Sequence, residues 1–304
     1  MRRALFPLLL ALPALAACAS PAAPTPAGVA AGCTLSPAAD VPLHTARNFL
    51  LVPIRLDGHF AQALVDTGAE TSTLTPLAAR RLGLPFASPH GTVMLGIGGA
   101  YHSQSVRVRE LALGDVVRRD KLFGLTPMPA FPGERTSVVG LLGVDVLAQY
   151  DVDLDPGAGR MTLYATRDCR TIEPWPGGVS LPMVRTRSGL MFVDAMVNGM
   201  TVRALIDTGA RTTLISNPLA TRLGVTPSML AGDPVRIGVG VGRGDLSVRQ
   251  HRFASLGLPG AMDRDVIANV GDLRLPGIAM LLGADYLSRH RLWISYATNR
   301  LYLR

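Results

Sequence analysis

The chain has 304 residues, enough for one large domain or two of about 120–150 residues. Hydrophobic residues make up 48% and charged residues 17%, the balance of a well-cored globular protein. The net charge of +8 comes from arginines scattered along the chain, with Lys121 the single lysine, and aromatics are only 5%; a nucleic-acid binder would show a basic stripe with interleaved aromatics, and none is present.

In chain order, Arg2-Arg3 and the apolar run Ala4 to Ala14 read as an export signal over residues 1–17, the run being too short for a comfortable membrane span. Leu15-Ala16-Ala17-Cys18 resembles a bacterial lipobox, in which cleavage precedes a cysteine that is then lipidated; an ordinary signal peptide with an incidental cysteine is the plainer alternative. Residues 18–45 open with a Pro/Ala stretch, Ala19 to Gly28, that builds no core and reads as an extended tether. The expectation is an exported, membrane-anchored lipoprotein facing the periplasm or cell surface. Two further cysteines, Cys33 and Cys169, form an even pair, which in an oxidising compartment favours a disulfide over two buried free thiols. Neither has a histidine at motif spacing, so no metal site and no cysteine nucleophile is expected.

From residue 46 onward the chain is written twice. Shifted by about 140 residues, Ala63-Leu64-Val65-Asp66-Thr67-Gly68-Ala69 falls on Ala204-Leu205-Ile206-Asp207-Thr208-Gly209-Ala210. Asp57-Gly58 falls on Asn198-Gly199, both hairpin-turn dipeptides. Val93-Met94-Leu95-Gly96-Ile97-Gly98 falls on Val235-Arg236-Ile237-Gly238-Val239-Gly240, and Leu141-Leu142-Gly143-Val144-Asp145 on Leu281-Leu282-Gly283-Ala284-Asp285. The period is far longer than a solenoid repeat, so a whole domain is duplicated: one lobe over 46–172, a breaker-rich linker over 173–180, and a second lobe over 181–304.

Most elements read as short strands. Phe49 to Leu56 with Phe60 to Val65, and Leu190 to Val197 with Thr201 to Ile206, are hairpins that end at the aspartates. Ser105 to Leu113 alternates, with Val106, Val108, Leu111 and Leu113 facing inward. Ala148 to Leu154 with Arg160 to Tyr164, and Arg291 to Tyr296 with Arg300 to Leu303, are closing hairpins. Helices are few and short: Pro76 to Leu82 and Pro218 to Leu223 open with proline, and Val144 to Gln149 and Ala284 to Arg289 make one or two turns.

Apolar-apolar-Asp-Thr-Gly-Ala, a glycine hairpin about 30 residues on and apolar-apolar-Gly about 75 residues on, each present twice, resemble the retropepsin family of aspartic proteases. The resemblance covers each half nearly end to end. It implies an all-β, two-lobed pepsin/retropepsin-like acid-protease fold with pseudo-twofold symmetry, few short helices, and both lobes in one monomeric chain. It implies an aspartic endopeptidase acting on peptide or protein substrates without a cofactor, with Asp66 and Asp207 sharing one proton and one water. Thr67 and Thr208 match the threonines that bond across the lobe interface, and Gly68 and Gly209 the close turns. Ala69 and Ala210 stand where pepsins carry a hydroxyl; without it the dyad's pKa values rise, so the expected optimum is less acidic than that of pepsin-like enzymes. Gly96-Ile97-Gly98-Gly99 and Gly238-Val239-Gly240 resemble flaps that close over substrate. Glu70 fits the family's acidic position, whereas Arg211 departs from it, and Arg291-Leu-Trp-Ile replaces the acidic run Asp151-Val-Asp-Leu. No arginine follows Gly143 or Gly283, so the ion pair it makes in viral members is missing. The alternative reading is a non-catalytic peptide-binding or inhibitory lipoprotein on the same fold.

Overall fold

The computed structural model describes residues 28–29, 33–87, 91–128, 138–238, 240 and 246–304. The export signal, Cys18, most of the Pro/Ala stretch and Val239 lie outside the described residues. The first half contains β1 (Gly28–Val29), β2 (Thr34–Pro42), β3 (His44–Ala46), β4 (Phe49–Leu56), β5 (His59–Val65), β6 (Thr73–Leu74) and α1 (Pro76–Arg81). It continues through β7 (Thr92–Gly96), β8 (Gly99–Ser103), β9 (Ser105–Leu113), β10 (Val116–Leu125), β11 (Val138–Leu142), α2 (Val144–Leu147), β12 (Asp151–Asp155), β13 (Arg160–Arg167) and β14 (Ile172–Glu173). The second half runs β15 (Val179–Arg185), β16 (Met191–Val197), β17 (Met200–Ile206), β18 (Leu214–Ser216), α3 (Asn217–Arg222), α4 (Pro227–Ala231) and β19 (Val235–Gly238). It ends with β20 (Leu246–Leu258), β21 (Ala261–Gly271), β22 (Met280–Leu282), α5 (Ala284–Leu287), β23 (Leu292–Ser295) and β24 (Arg300–Leu303).

Each half closes a barrel from equivalent strands. The first follows β4-β5-β11-β6-β10-β9 and returns to β4; the second follows β16-β17-β22-β18-β21-β20 and returns to β16. Closure removes free edges, and the alternation of side chains sends one face inward. Val106, Val108, Leu111 and Leu113 of β9 are indeed buried, and Phe253 and Leu256 of β20 take the matching interior positions. The hairpins that deliver the aspartates turn on Asp57-Gly58 and Asn198-Gly199, all four residues at positive φ (47°, 86°, 48° and 79°), the conformation that Asn, Asp and Gly tolerate. Helices α1 and α3 start as their prolines suggest, with Thr75 and Ser216 accepting the amides of Ala78 and Leu219. Helix α4 was not expected, although Thr226-Pro227 carries the same cap-and-proline signature and Thr226 accepts the Met229 amide.

The two boundaries expected between segments differ in the structure. Residues 34–45, assigned to the tether, supply β2 and most of β3, and β2 pairs along its whole length with β13. The linker region contains buried Trp175, and β15 already begins at residue 179. Both segments are recruited because the lobes share a six-stranded sheet, ordered β15-β24-β23-β12-β13-β2, and each lobe supplies three equivalent strands. At its centre β12 and β23 pair antiparallel, with Asp153 opposite Trp293 on the pseudo-twofold.

That centre explains the lost acidic run. Arg291 donates from Nε to Asp153 Oδ1 at 3.0 Å and from an Nη to Oδ2 at 2.6 Å, while its guanidinium lies 4.7 Å from the Trp175 ring centroid. An aspartate at position 291 would stand against the buried Asp153 and the half-buried Asp155, which Arg291 approaches at 3.4 Å. Asp151 is instead satisfied by Trp293 Nε1 and the Ala297 amide. Burial still pushes the Asp153 carboxyl above its ordinary value, outweighing the pull of Arg291. Arg291→Met should therefore destabilise the protein by about 3–5 kcal/mol, since it leaves a charge alone in a site where the Asp153 side chain is 3% exposed. Urea unfolding checks this: a loss below about 1 kcal/mol would mean the pair does not hold the lobes together.

Cys33 and Cys169 are joined by a disulfide across 136 residues of sequence. It ties the start of β2 to the end of β13, beside a small hydrophobic cluster of the aromatic Tyr164, Trp175, Trp293 and Tyr302 with Ile172. Cys33→Ser should lower stability by about 2–4 kcal/mol. A urea midpoint that is the same for oxidised and reduced protein would show that the aromatic cluster alone secures the segment.

Candidate active site

Strands β5 and β17 are wall strands of the two barrels and end at the Asp-Thr-Gly turns, where the two lobes meet. The interface is held by a reciprocal exchange. The Thr67 hydroxyl donates to the Ile206 carbonyl and accepts from the Thr208 amide; the Thr208 hydroxyl donates to the Val65 carbonyl and accepts from the Thr67 amide, at 2.7 and 3.1 Å in each direction. Both threonines are fully buried, so each bond forms without competition from water.

The same turns set the aspartates face to face. A Cβ placed on Gly68 would stand 2.4 Å from Asp207 Cγ, and one on Gly209 would stand 2.2 Å from Asp66 Cγ. Each carboxyl therefore packs against the bare Cα of the opposite lobe's glycine. Asp66 accepts from the Gly68 amide at 3.0 Å; Asp207 accepts from Gly209 at 3.0 Å and from Ala210 at 2.8 Å. These amides hold the carboxyls in place and favour their charged form, but burial opposes them and prevails. Asp66 is raised well above the ordinary 3.8, by burial first and by the charge of Asp207 second. Asp207 is pushed up to about 6, again by burial. The two titrate as one unit, and a shared proton is the economical state.

A second layer steadies the turns. In lobe 1, Asp145 Oδ1 accepts from the Ser72 amide and hydroxyl, and Ser72 Oγ accepts from the Gly143 amide. In lobe 2, Asp285 Oδ1 accepts from the Thr213 amide and hydroxyl, and Thr213 Oγ1 accepts from the Gly283 amide. The Val144 and Ala284 amides then donate to the Ala69 and Ala210 carbonyls. Gly143 and Gly283 admit no side chain here, since a Cβ would fall 2.7 Å from Ala69 O and 2.5 Å from Thr212 C. Leu142-Gly143 and Leu282-Gly283 were matched between the halves, and the aspartates two residues on, Asp145 and Asp285, were given no role. The signal was present as Gly-x-Asp in both halves, matched by Ser72 and Thr213. The layer also contains an ion pair where none was expected: Lys121, on β10, bonds Asp145. Asp285 has no lysine partner, and burial raises its carboxyl.

The glycine segments expected to act as flaps are described in part, as hairpins. Strands β7 and β8 form a hairpin closed at Gly96 and Gly99, with Ile97-Gly98 at its tip. Strand β19 pairs with β20 and ends at Gly238; of its tip only Gly240 is described, and Val239 is not. The tips meet across the lobes, because a Cβ on Gly240 would stand 2.4 Å from Ile97 Cγ1. Glu70 and Arg211 are exposed, and neither forms an ion pair among the described residues. Ala69 and Ala210 are half-buried and, as their side chains dictate, bring no hydroxyl to the dyad.

Comparison with known proteins agrees with this architecture half by half. Residues 52–146 match the family described as "Aspartyl protease", and residues 193–289 the family described as "gag-polyprotein putative aspartyl protease". DNA damage-inducible protein 1 of Cryptococcus neoformans is 32% identical over 117 residues, which is 37% of this chain and 25% of that protein. The chain thus spans about a quarter of the length of the curated relatives it matches. The aspartic proteinase of Irpex lacteus shares the fold over 89% of this chain and 97% of its own, with a TM-score of 0.52 and 14% identity. A retropepsin-like aspartic protease from Rickettsia conorii aligns with 42% of this chain and 89% of its own, at 23% identity and a TM-score of 0.34. With the duplicated Asp-Thr-Gly turns, the closed barrels and a family match in each lobe, the chain belongs to the retropepsin-like aspartic proteases, a family of aspartic-type endopeptidases.

Proposed function

We propose that the protein hydrolyses peptide bonds with a water held between Asp66 and Asp207. The observation that carries this is the mutual approach of each carboxyl to the other lobe's glycine, at 2.4 and 2.2 Å from a virtual Cβ. In the singly protonated dyad the charged carboxylate takes a proton from water as it attacks the scissile carbonyl, and the neutral carboxyl donates to the carbonyl oxygen. The resulting gem-diol collapses, with its proton passing to the leaving amine. The flaps seat an extended peptide by strand-like bonding and exclude bulk water. Glu70 and Arg211 stand where the substrate leaves the dyad on either side. In the cell we place this body outside the cytoplasm as a monomer, held to a membrane by lipid on Cys18.

Hydrolysis of a peptide library by the purified protein, with added hydroxylamine, tests the reaction. Direct attack by water yields free carboxylates only; a hydroxamate product would reveal an acyl-enzyme and overturn the mechanism. The pH profile should be bell-shaped, because activity needs one proton on the pair. Burial raises both carboxyls, so the alkaline limb lies near or above about pH 6. Activity confined below about pH 3 would contradict a dyad raised by burial and lacking a flanking hydroxyl.

A further inference from the structure

The two lobes share a backbone path but not a charge. After each buried aspartate the chain surfaces and dives again. Gly68 and Ala69 are half-buried, Glu70 is exposed and Ser72 is buried; Gly209 and Ala210 are half-buried, Arg211 is exposed and Thr213 is buried. The Val144 and Ala284 amides hold the Ala69 and Ala210 carbonyls from below, at 2.9 and 2.7 Å. Residues 70 and 211 are therefore pseudo-twofold mates on opposite flanks of the dyad. One carries a carboxylate and the other a guanidinium. Neither is engaged by another charge among the described residues, whereas Lys121 is tied to Asp145 and Arg274 to Asp272.

The lobes touch at Thr67 with Thr208 below and at Ile97 with Gly240 at the flap tips. A peptide held between those contacts emerges past both rim positions. A cleft with true twofold symmetry binds an extended peptide equally well in either chain direction, because rotation exchanges the two modes. Opposite charges at twofold-related points remove that equivalence. We propose that Glu70 and Arg211 are opposed charge-reading subsites. They favour peptides with a basic residue on one side of the scissile bond and an acidic residue on the other, in one chain direction over the reverse. Each rim residue is four positions from its aspartate, which places the charges it reads about two to four substrate residues from the scissile bond. This reading rests on the endopeptidase function proposed above.

The test uses two peptides of identical composition around one apolar core. One carries arginine before the scissile bond and glutamate after it; the other has the reverse order. At about pH 6 and low ionic strength, the wild-type protein should cleave one order with a kcat/KM about 5- to 30-fold above the other. Added salt should bring the ratio toward one. The double variant Glu70→Arg, Arg211→Glu should invert the preference, and Arg211→Gln alone should shrink it. Equal rates for both orders, or a ratio that the charge exchange leaves unchanged, would overturn the proposal. If neither these nor a neutral peptide is cleaved, the endopeptidase reading itself falls. The dissociation constants of the same two peptides, by fluorescence anisotropy, then decide the polarity. An order dependence that inverts in the double variant upholds it, and equal affinities overturn it.

Discussion

Asp66→Asn and Asp207→Asn should each lower kcat by about 10³-fold or more and yet stabilise the protein at neutral pH. The loss of activity follows because an amide can neither take the water's proton nor return one to the leaving group. The gain in stability follows from burial. A carboxyl whose pKa is higher in the folded than in the unfolded state contributes most below the unfolded value and loses that contribution as pH rises through the folded one. For Asp207 the ordinary value is 3.8 and the folded value about 6, so the loss runs between about pH 4 and 6. Above that window the buried charge costs on the order of 2–3 kcal/mol. Asparagine carries no charge to bury, so the variant should melt above wild type at pH 7 and close to it near pH 4. Measuring kcat and the thermal midpoint at both pH values separates the outcomes. An inactive variant that is less stable at pH 7 would point to a structural role, and an active one would sink the dyad mechanism.

Gly209→Ala and Gly68→Ala should each cost about 10²-fold or more in kcat/KM, through geometry rather than chemistry. A methyl at position 209 would lie 2.2 Å from Asp66 Cγ and 2.3 Å from both its carboxylate oxygens; at position 68 it would lie 2.4 Å from Asp207 Cγ. Neither glycine has a positive φ, so the requirement is for space and not for an unusual backbone. The facing carboxyl must swing aside or the lobes must part, and parting them stretches the bonds between Thr67 and Thr208. Each change thus damages the aspartate of the other lobe. Steady-state kinetics with the crystal structure of either variant checks this. Wild-type kinetics in Gly209→Ala would mean that the carboxyls do not meet as described.

Much of this was legible in the sequence because the relevant constraints are local. Asp-Thr-Gly, Asp57-Gly58 and Asn198-Gly199, and the alternation of Val106, Val108, Leu111 and Leu113 all act within a few residues. Duplication let each local reading be checked against its counterpart. The threonines' role was legible only through resemblance, since their partners lie 139 and 143 residues away. Asp145 and Asp285 carry no distinctive local signal, because an aspartate after Gly-x is ordinary until Ser72 and Thr213 are seen to need it. The tether boundary was misplaced because β2 has no clear alternation, and only pairing with β13 makes it a strand.

The sequence by itself determined the repeated fold, the two turns that carry the aspartates and the inequality of Glu70 and Arg211. These depend on residue type, spacing and φ preference within short segments. Only the tertiary structure decided how the halves are joined. The shared sheet, the Arg291–Asp153 pair on its axis, the Lys121–Asp145 pair and the seating of each carboxyl against the other lobe's glycine all link residues far apart in the chain. Such contacts depend on where closed barrels place their surfaces, and no local pattern encodes that.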